Sequence, residues 1–148
     1  MAFHFALQSV LHFRQTVEHQ QELRVRAANQ RVAGVRHNIA QLADALKQLQ
    51  TISSQELARG TTSAELRFSL QAELALGQQR QDFEHELLRL SKLRDQQVKI
   101  FQQVRRERET IQALRDQQLH AHKREATRRE QRRIDDLFLM QRSFRQRG

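Results

Sequence analysis

The sequence predicts an all-α fold: a long antiparallel two-helix coiled-coil hairpin with an overhanging C-terminal helix. Three observations predict it. The 148 residues contain no Pro and only 4 Gly, which excludes a loop-rich fold with many connections. Val25, Ala28, Val32, Val35, Ile39, Leu42, Leu46 and Leu49 are alternately 3 and 4 apart, the spacing of a seam between paired helices. Hydrophobic residues make up 38%, and every aromatic is one of 8 Phe. That supplies a narrow seam and too little bulk for a wide globular core.

The first helix is expected over about residues 2–59. Leu7, Val10, Leu11 and Val17 lie loosely on one side of it, and the stricter seam begins at Val25. Ser53-Ser54 is a place where this helix can fray, because serine hydroxyls compete with the backbone. Arg59 is followed by Gly60, as a glycine in the left-handed position after a helix would be. Thr62 with Glu65 three residues on is a capping box, so residues 60–62 form the turn. The second helix is expected over about residues 63–146. Phe83, Leu87 and Leu90 restart the seam, and Phe101, Val104, Ile111 and Leu114 continue it. Arg94, Gln97 and Arg108 interrupt it. Gly34 and Gly77 each cost about 1 kcal/mol relative to Ala, not enough to end a paired helix. No linker divides the chain, so residues 1–148 read as a single coiled-coil hairpin.

With the pivot at the turn, residue i faces roughly residue 122 − i, and residue 2 faces residue 120. Residues 121–148 then overhang. They hold 9 basic and 4 acidic residues, against 17 and 13 in residues 1–120, so more than half of the net charge of +9 sits there. Arg124, Arg128, Arg129, Arg132 and Arg133 come first, followed by Ile134, Leu137, Phe138, Met140 and Phe144. Positions 134, 137, 138, 141 and 144 share a helical face on which only Gln141 is polar. Such a stripe must be buried on something. Either it folds back onto the start of the first helix, where Phe3 and Phe5 are available, or a partner docks on it.

No constellation for catalysis appears. The absence of Cys removes disulfides, thiolate metal sites and a cysteine nucleophile. His120 and His122 are two apart and point to different helix faces, so they cannot chelate one metal. His4, His12, His19, His37 and His85 are scattered. Asp135-Asp136 is better explained by ion pairs from Arg132 or Arg133 to Asp136 than by acid/base work. No phosphate loop or Ser-His-Asp arrangement is present. The expectation is a non-enzyme without cofactors. The longest aliphatic or aromatic run, Leu137-Phe138-Leu139-Met140, is far short of the roughly 20 residues of a membrane span. The start lacks the basic leader and apolar stretch of a signal peptide, so a cytoplasmic protein is expected.

The opening Phe3-x-Phe5-x-Leu7-x-x-Val10-Leu11-x-x-Arg14-x-x-x-Glu18 resembles the start of the flagellar FliJ family. The segment Arg129-Glu130-Gln131-x-x-Ile134-Asp135-Asp136 is similar to that family's Glu-Gln-x-x-Leu-Asp-Glu ending. Length and the central Gly60 turn fit as well. The resemblance implies a small cytoplasmic helical hairpin of the type III export apparatus, shaped like the two-helix stalk of rotary ATPases. It implies no cofactor. It implies that the terminal end inserts into the hexameric export ATPase and promotes its assembly, while the turn half contacts the cytoplasmic domain of the membrane export gate. It also implies escort of export chaperones, and peripheral placement at the inner membrane through partners.

On this resemblance the ATPase contact falls on Arg124, Arg128, Arg129, Arg132, Arg133, Ile134, Leu137 and Phe138. The gate contact falls on Leu42, Leu49, Leu76 and Phe83. The seam spacing accounts equally for Leu42 and Leu49 as core. The chain departs from the family where relatives often carry tyrosines on the first helix, since Ala45 and Leu49 stand there. Two other classes remain open: a basic coiled-coil nucleic-acid-binding protein and a scaffold that self-assembles through its seam. Glu125, Glu130, Asp135 and Asp136 interrupt the basic run, and base-reading amides are sparse there, which counts against sequence-specific nucleic-acid recognition.

Overall fold

A computed structural model describes residues 2–148, and it is all-helical. Helix α1 spans Gln8–Arg59 (52 residues) and helix α2 spans Ser63–Arg147 (85 residues), with no strand among the described residues. Two long helices joined by a short turn agree with the helical fold class expected from composition and spacing.

The turn is built by the residues that predict it. Gly60 has φ of 87°, a left-handed conformation that costs a residue with a Cβ about 1–2 kcal/mol. Its amide donates to the Leu57 carbonyl at 3.4 Å, closing the last turn of α1. The Glu65 amide donates to Thr62 Oγ1 at 3.3 Å, and the Thr62 amide donates to Glu65 Oε2 at 3.4 Å. Two of the amide groups that every helix start leaves without intrahelical partners are thus satisfied reciprocally.

Two boundary expectations differ. Helix α1 begins at Gln8 rather than near residue 2. Phe5 is buried, and its carbonyl accepts from the Gln8 amide at 3.1 Å, so burying this ring bends the chain into the helix start. Ser53-Ser54 does not fray α1. The Ser54 and Thr51 hydroxyls donate to the carbonyls of Gln50 and Lys47, each at 2.9 Å, and the helix continues to Arg59.

Contacts divide the chain into two units. The first holds the turn and comprises His19–Gln102. All eight seam residues from Val25 to Leu49 are buried or half-buried, with Val32 only 2% exposed. From α2, Phe83 and Leu87 are half-buried and Leu90 is buried. The same spacing extends back to Gln21, a buried amide that is 5% exposed. Its Nε2 donates to Oε1 of Gln97 at 2.5 Å and to the Gln97 carbonyl at 3.3 Å.

The second unit joins the residues up to Glu18 with Gln103–Gly148. Leu11 is its most enclosed side chain, 2% exposed, which stabilises by about 1.5–3 kcal/mol relative to exposure. Leu7, Val10 and Leu114, expected on the seam, are instead exposed. The half-buried positions include Arg14, Glu18, Arg108 and Arg115, together with Val17, Val104 and Ile111. The heptad thus runs through charged residues that a search for apolar spacing passes over.

The two types of glycine position predict opposite outcomes. Gly34 is helical, with nothing within 4 Å of a Cβ built there, so Gly34→Ala should raise the unfolding free energy by about 1 kcal/mol. Gly60→Ala should lower it by about 1–2 kcal/mol through its positive φ. Urea unfolding followed by circular dichroism checks both signs.

Candidate partner-binding surface

The surface is defined by where α2 stops being covered. In the termini-bearing unit, Arg14 Nη1 donates to Glu107 Oε2. Arg108 grips Glu18 with two bonds, from Nε to Oε2 at 2.5 Å and from Nη2 to Oε1 at 3.2 Å. The side chains of this second pair are only 22% and 19% exposed. Hydrogen bonding to Glu18 holds the Arg108 guanidinium still further above its ordinary pKa, so it stays charged. Farther along α2, Arg115 Nε donates to Gln8 Oε1 at 3.3 Å, and its guanidinium lies 5.8 Å from the Phe3 ring centroid. Phe3 packs against His122, ring centroids 5.6 Å apart. His122 is the last half-buried residue, and every residue of 123–148 is exposed.

The exposed stretch stays helical to Arg147 because its residues are mostly strong helix formers without Pro. Arg124, Arg128 and Arg132 follow one another at intervals of four and form one row, with Arg129 and Arg133 in the adjacent row. All five are exposed. Arg129 is 3.5 Å from Glu125, a surface pair that holds its side chain only weakly. The ion pairs expected for Asp136 are not formed. Asp135 instead accepts from Gln131 Nε2 at 3.1 Å, the side chain one turn earlier. Ile134, Leu137, Phe138, Met140 and Phe144 are exposed. The stripe therefore does not fold back: Phe5 is buried elsewhere, and Phe3 is taken up by Arg115 and His122.

In the turn-bearing unit, Leu42, Leu49, Leu76 and Phe83 are all half-buried. Three further apolar side chains, Phe68, Leu70 and Leu74, are exposed there and were missed by a reading centred on the seam. Their signal in the sequence is that they fall off the alternating spacing that buries Leu66, Leu76 and Phe83. Leu70 and Leu74, with Leu46, Gln50 and Gly77, line a shallow groove. Among the described residues, no helix is long and apolar enough to cross a membrane.

A family model described as the flagellar FliJ protein matches residues 3–148. The chain belongs to the FliJ family. It is therefore a component of the flagellar export apparatus, as the head and tail motifs implied. No curated protein and no solved structure matches the chain. In this FliJ-family chain the head motif contributes to the packing between α1 and α2: Phe5 and Leu11 are buried, and Arg14 and Glu18 pair with Glu107 and Arg108. The tail motif lies on the exposed part of α2, with Ile134 open to solvent.

The Glu18 and Arg108 pair predicts a specific mutational pattern. Either single charge reversal leaves like charges facing each other and should destabilise more than the double reversal Glu18→Arg with Arg108→Glu. The coupling from a double-mutant cycle should be about 1 kcal/mol or somewhat above, since the pair is bidentate and mostly covered. Thermal unfolding of the four proteins measures it.

Proposed function

We propose that the chain is a stalk-like coiled coil that binds the hexameric export ATPase, promotes its assembly and couples it to the export gate. The observation that carries this reading is the uncovered helix 123–148, which joins two rows of exposed arginines to an exposed apolar stripe. In this proposal the stretch is an overhanging arm that enters an anion-lined ring. Arg124, Arg128, Arg129, Arg132 and Arg133 give the arm long-range attraction to such a ring. Ile134, Leu137 and Phe138 supply the desolvated contact that outlasts salt screening.

The gate contact is proposed for the turn-bearing unit, at the half-buried edges of Leu42, Leu49, Leu76 and Phe83. Phe68, Leu70 and Leu74 extend that surface. Coupling is mechanical: helices without proline breaks transmit force between two docking ends. Escort of export chaperones belongs to the same proposal, as does a cytoplasmic location at the inner-membrane face of the apparatus, reached through partners. No cofactor is assigned.

Replacing the five arginines by Glu should abolish co-purification of the ATPase from lysate. Because all five are exposed, the unfolding free energy of the variant should change by no more than about 0.5 kcal/mol per site. Retained ATPase with reversed charges overturns the assignment. Salt separates this reading from nucleic-acid binding. Affinity for duplex DNA resting on phosphate contacts falls by orders of magnitude as salt rises. Capture of the ATPase should persist, and should weaken sharply in Phe138→Ala.

A further inference from the structure

The last part of α2 differs in chemistry from the arginine rows before it. No Asp or Glu follows Asp136. Residues 137–148 carry Arg142, Arg145 and Arg147, so none of these guanidiniums has an acidic side chain within one helical turn on its own helix. Leu137, Phe138, Leu139, Met140 and Phe144 in the same stretch are all exposed, and Phe144, at 82%, is the most exposed large apolar side chain among the described residues. At 100° per residue, Ile134, Leu137, Phe138 and Phe144 fall on one side of the helix, with Arg142 just beyond Phe138 on one edge, Arg147 beyond Phe144 on the other, and Arg145 on the same side as the strip, at its C-terminal end.

We propose that this terminal segment of α2 is a docking surface for an anionic lipid bilayer, lying in the headgroup region with Phe144 as its anchor. An apolar strip flanked by Arg142 and Arg147 and ended by Arg145 suits an interface in which hydrocarbon and negative charge lie a few ångströms apart. Arginine stems rest along the apolar boundary while their heads reach the phosphates. A nucleic-acid duplex answers only the charge and leaves Phe138 and Phe144 in water. The segment is too short and too basic to span the bilayer, so the contact is one of lying on the surface. The surface overlaps the proposed ATPase contact at Ile134, Leu137 and Phe138 and extends past it to Phe144 and the three terminal arginines. The proposal does not rest on the ATPase reading.

The test is co-sedimentation of the full chain with vesicles of equal parts phosphatidylcholine and phosphatidylglycerol, with pure phosphatidylcholine vesicles in parallel. The chain should sediment with the anionic vesicles and stay in solution with the neutral ones. Phe144→Glu should weaken the partition about tenfold or more, and Arg142→Gln with Arg145→Gln and Arg147→Gln should do the same. Both variants alter exposed residues, and circular dichroism should show unchanged helix content. The proposal is overturned if the chain ignores anionic vesicles. It is equally overturned if Phe144→Glu binds them as the parent does, because adsorption is then charge alone. Capture of the ATPase from lysate by Phe144→Glu reads the other proposal separately: loss of vesicles with retained ATPase separates the two surfaces, and retained vesicles with lost ATPase overturns the bilayer anchor.

Discussion

A charged side chain at a position that faces another helix must meet its counter-charge there, and this requirement sets how the two helices align. Leucines and valines repeating every seven residues pair nearly as well after a slip of one heptad, so the apolar seam alone is degenerate. The polar positions remove the degeneracy. Glu18 meets Arg108 and Arg14 meets Glu107 in one unit, and Gln21 meets Gln97 in the other. A slip of seven in one direction sets Glu18 against Phe101 and Gln21 against Leu90. A slip in the other direction offers Glu18 a new partner in Arg115 but leaves Arg14 against Leu114 and Gln21 against Val104. Stranding a covered charge or amide costs more than the correctly made pair contributes. The pairs therefore act chiefly by excluding the wrong alignments.

Alignment also decides which residues α2 leaves uncovered. With Phe3 seated beside Arg115 and His122, coverage ends at His122. The five arginines and the apolar stripe residues Ile134, Leu137, Phe138 and Phe144 are then all left exposed. A shift by one heptad would cover or uncover two further turns, and in one of the two directions would move the boundary into the arginine rows. The polar pairs near the termini and the exposed arm are thus linked: the former determine where the latter begins.

Much of this was legible in the residues. The eight apolar positions from Val25 to Leu49 all lie inward, and Gly60 with the Thr62 and Glu65 capping box marks the turn, because each rests on a local rule with little competition. The seam near the termini was legible only in part from apolar spacing: Leu11, Val17, Val104 and Ile111 lie inward, but Arg14, Glu18 and Arg115 occupy positions where hydrophobic residues were sought. Val10 and Leu114 misled for the same reason: they are apolar but lie one position off the heptad that the charged residues carry, while Leu7 lies ahead of the helix start at Gln8. The start of α1 was set too early because helix propensity says nothing about Phe5 turning into its buried site. At the candidate surface, the arginine rows and the apolar stripe followed directly from charge counting and the helical period. The exposure of Phe68, Leu70 and Leu74 could be seen only once the seam positions beside them were fixed.

The alignment itself is open to direct measurement, because the chain has no Cys and any introduced pair reacts alone. Three doubly substituted proteins serve: Gln21→Cys with Gln97→Cys, Gln21→Cys with Leu90→Cys, and Gln21→Cys with Val104→Cys. Under mild oxidation the first should close an intramolecular disulfide rapidly, and the other two, each displaced by one heptad, should remain reduced or cross-link slowly between chains. Rapid intramolecular closure of either displaced pair, at a rate matching the first, would contradict the claim that polar partners hold the helices in a single register.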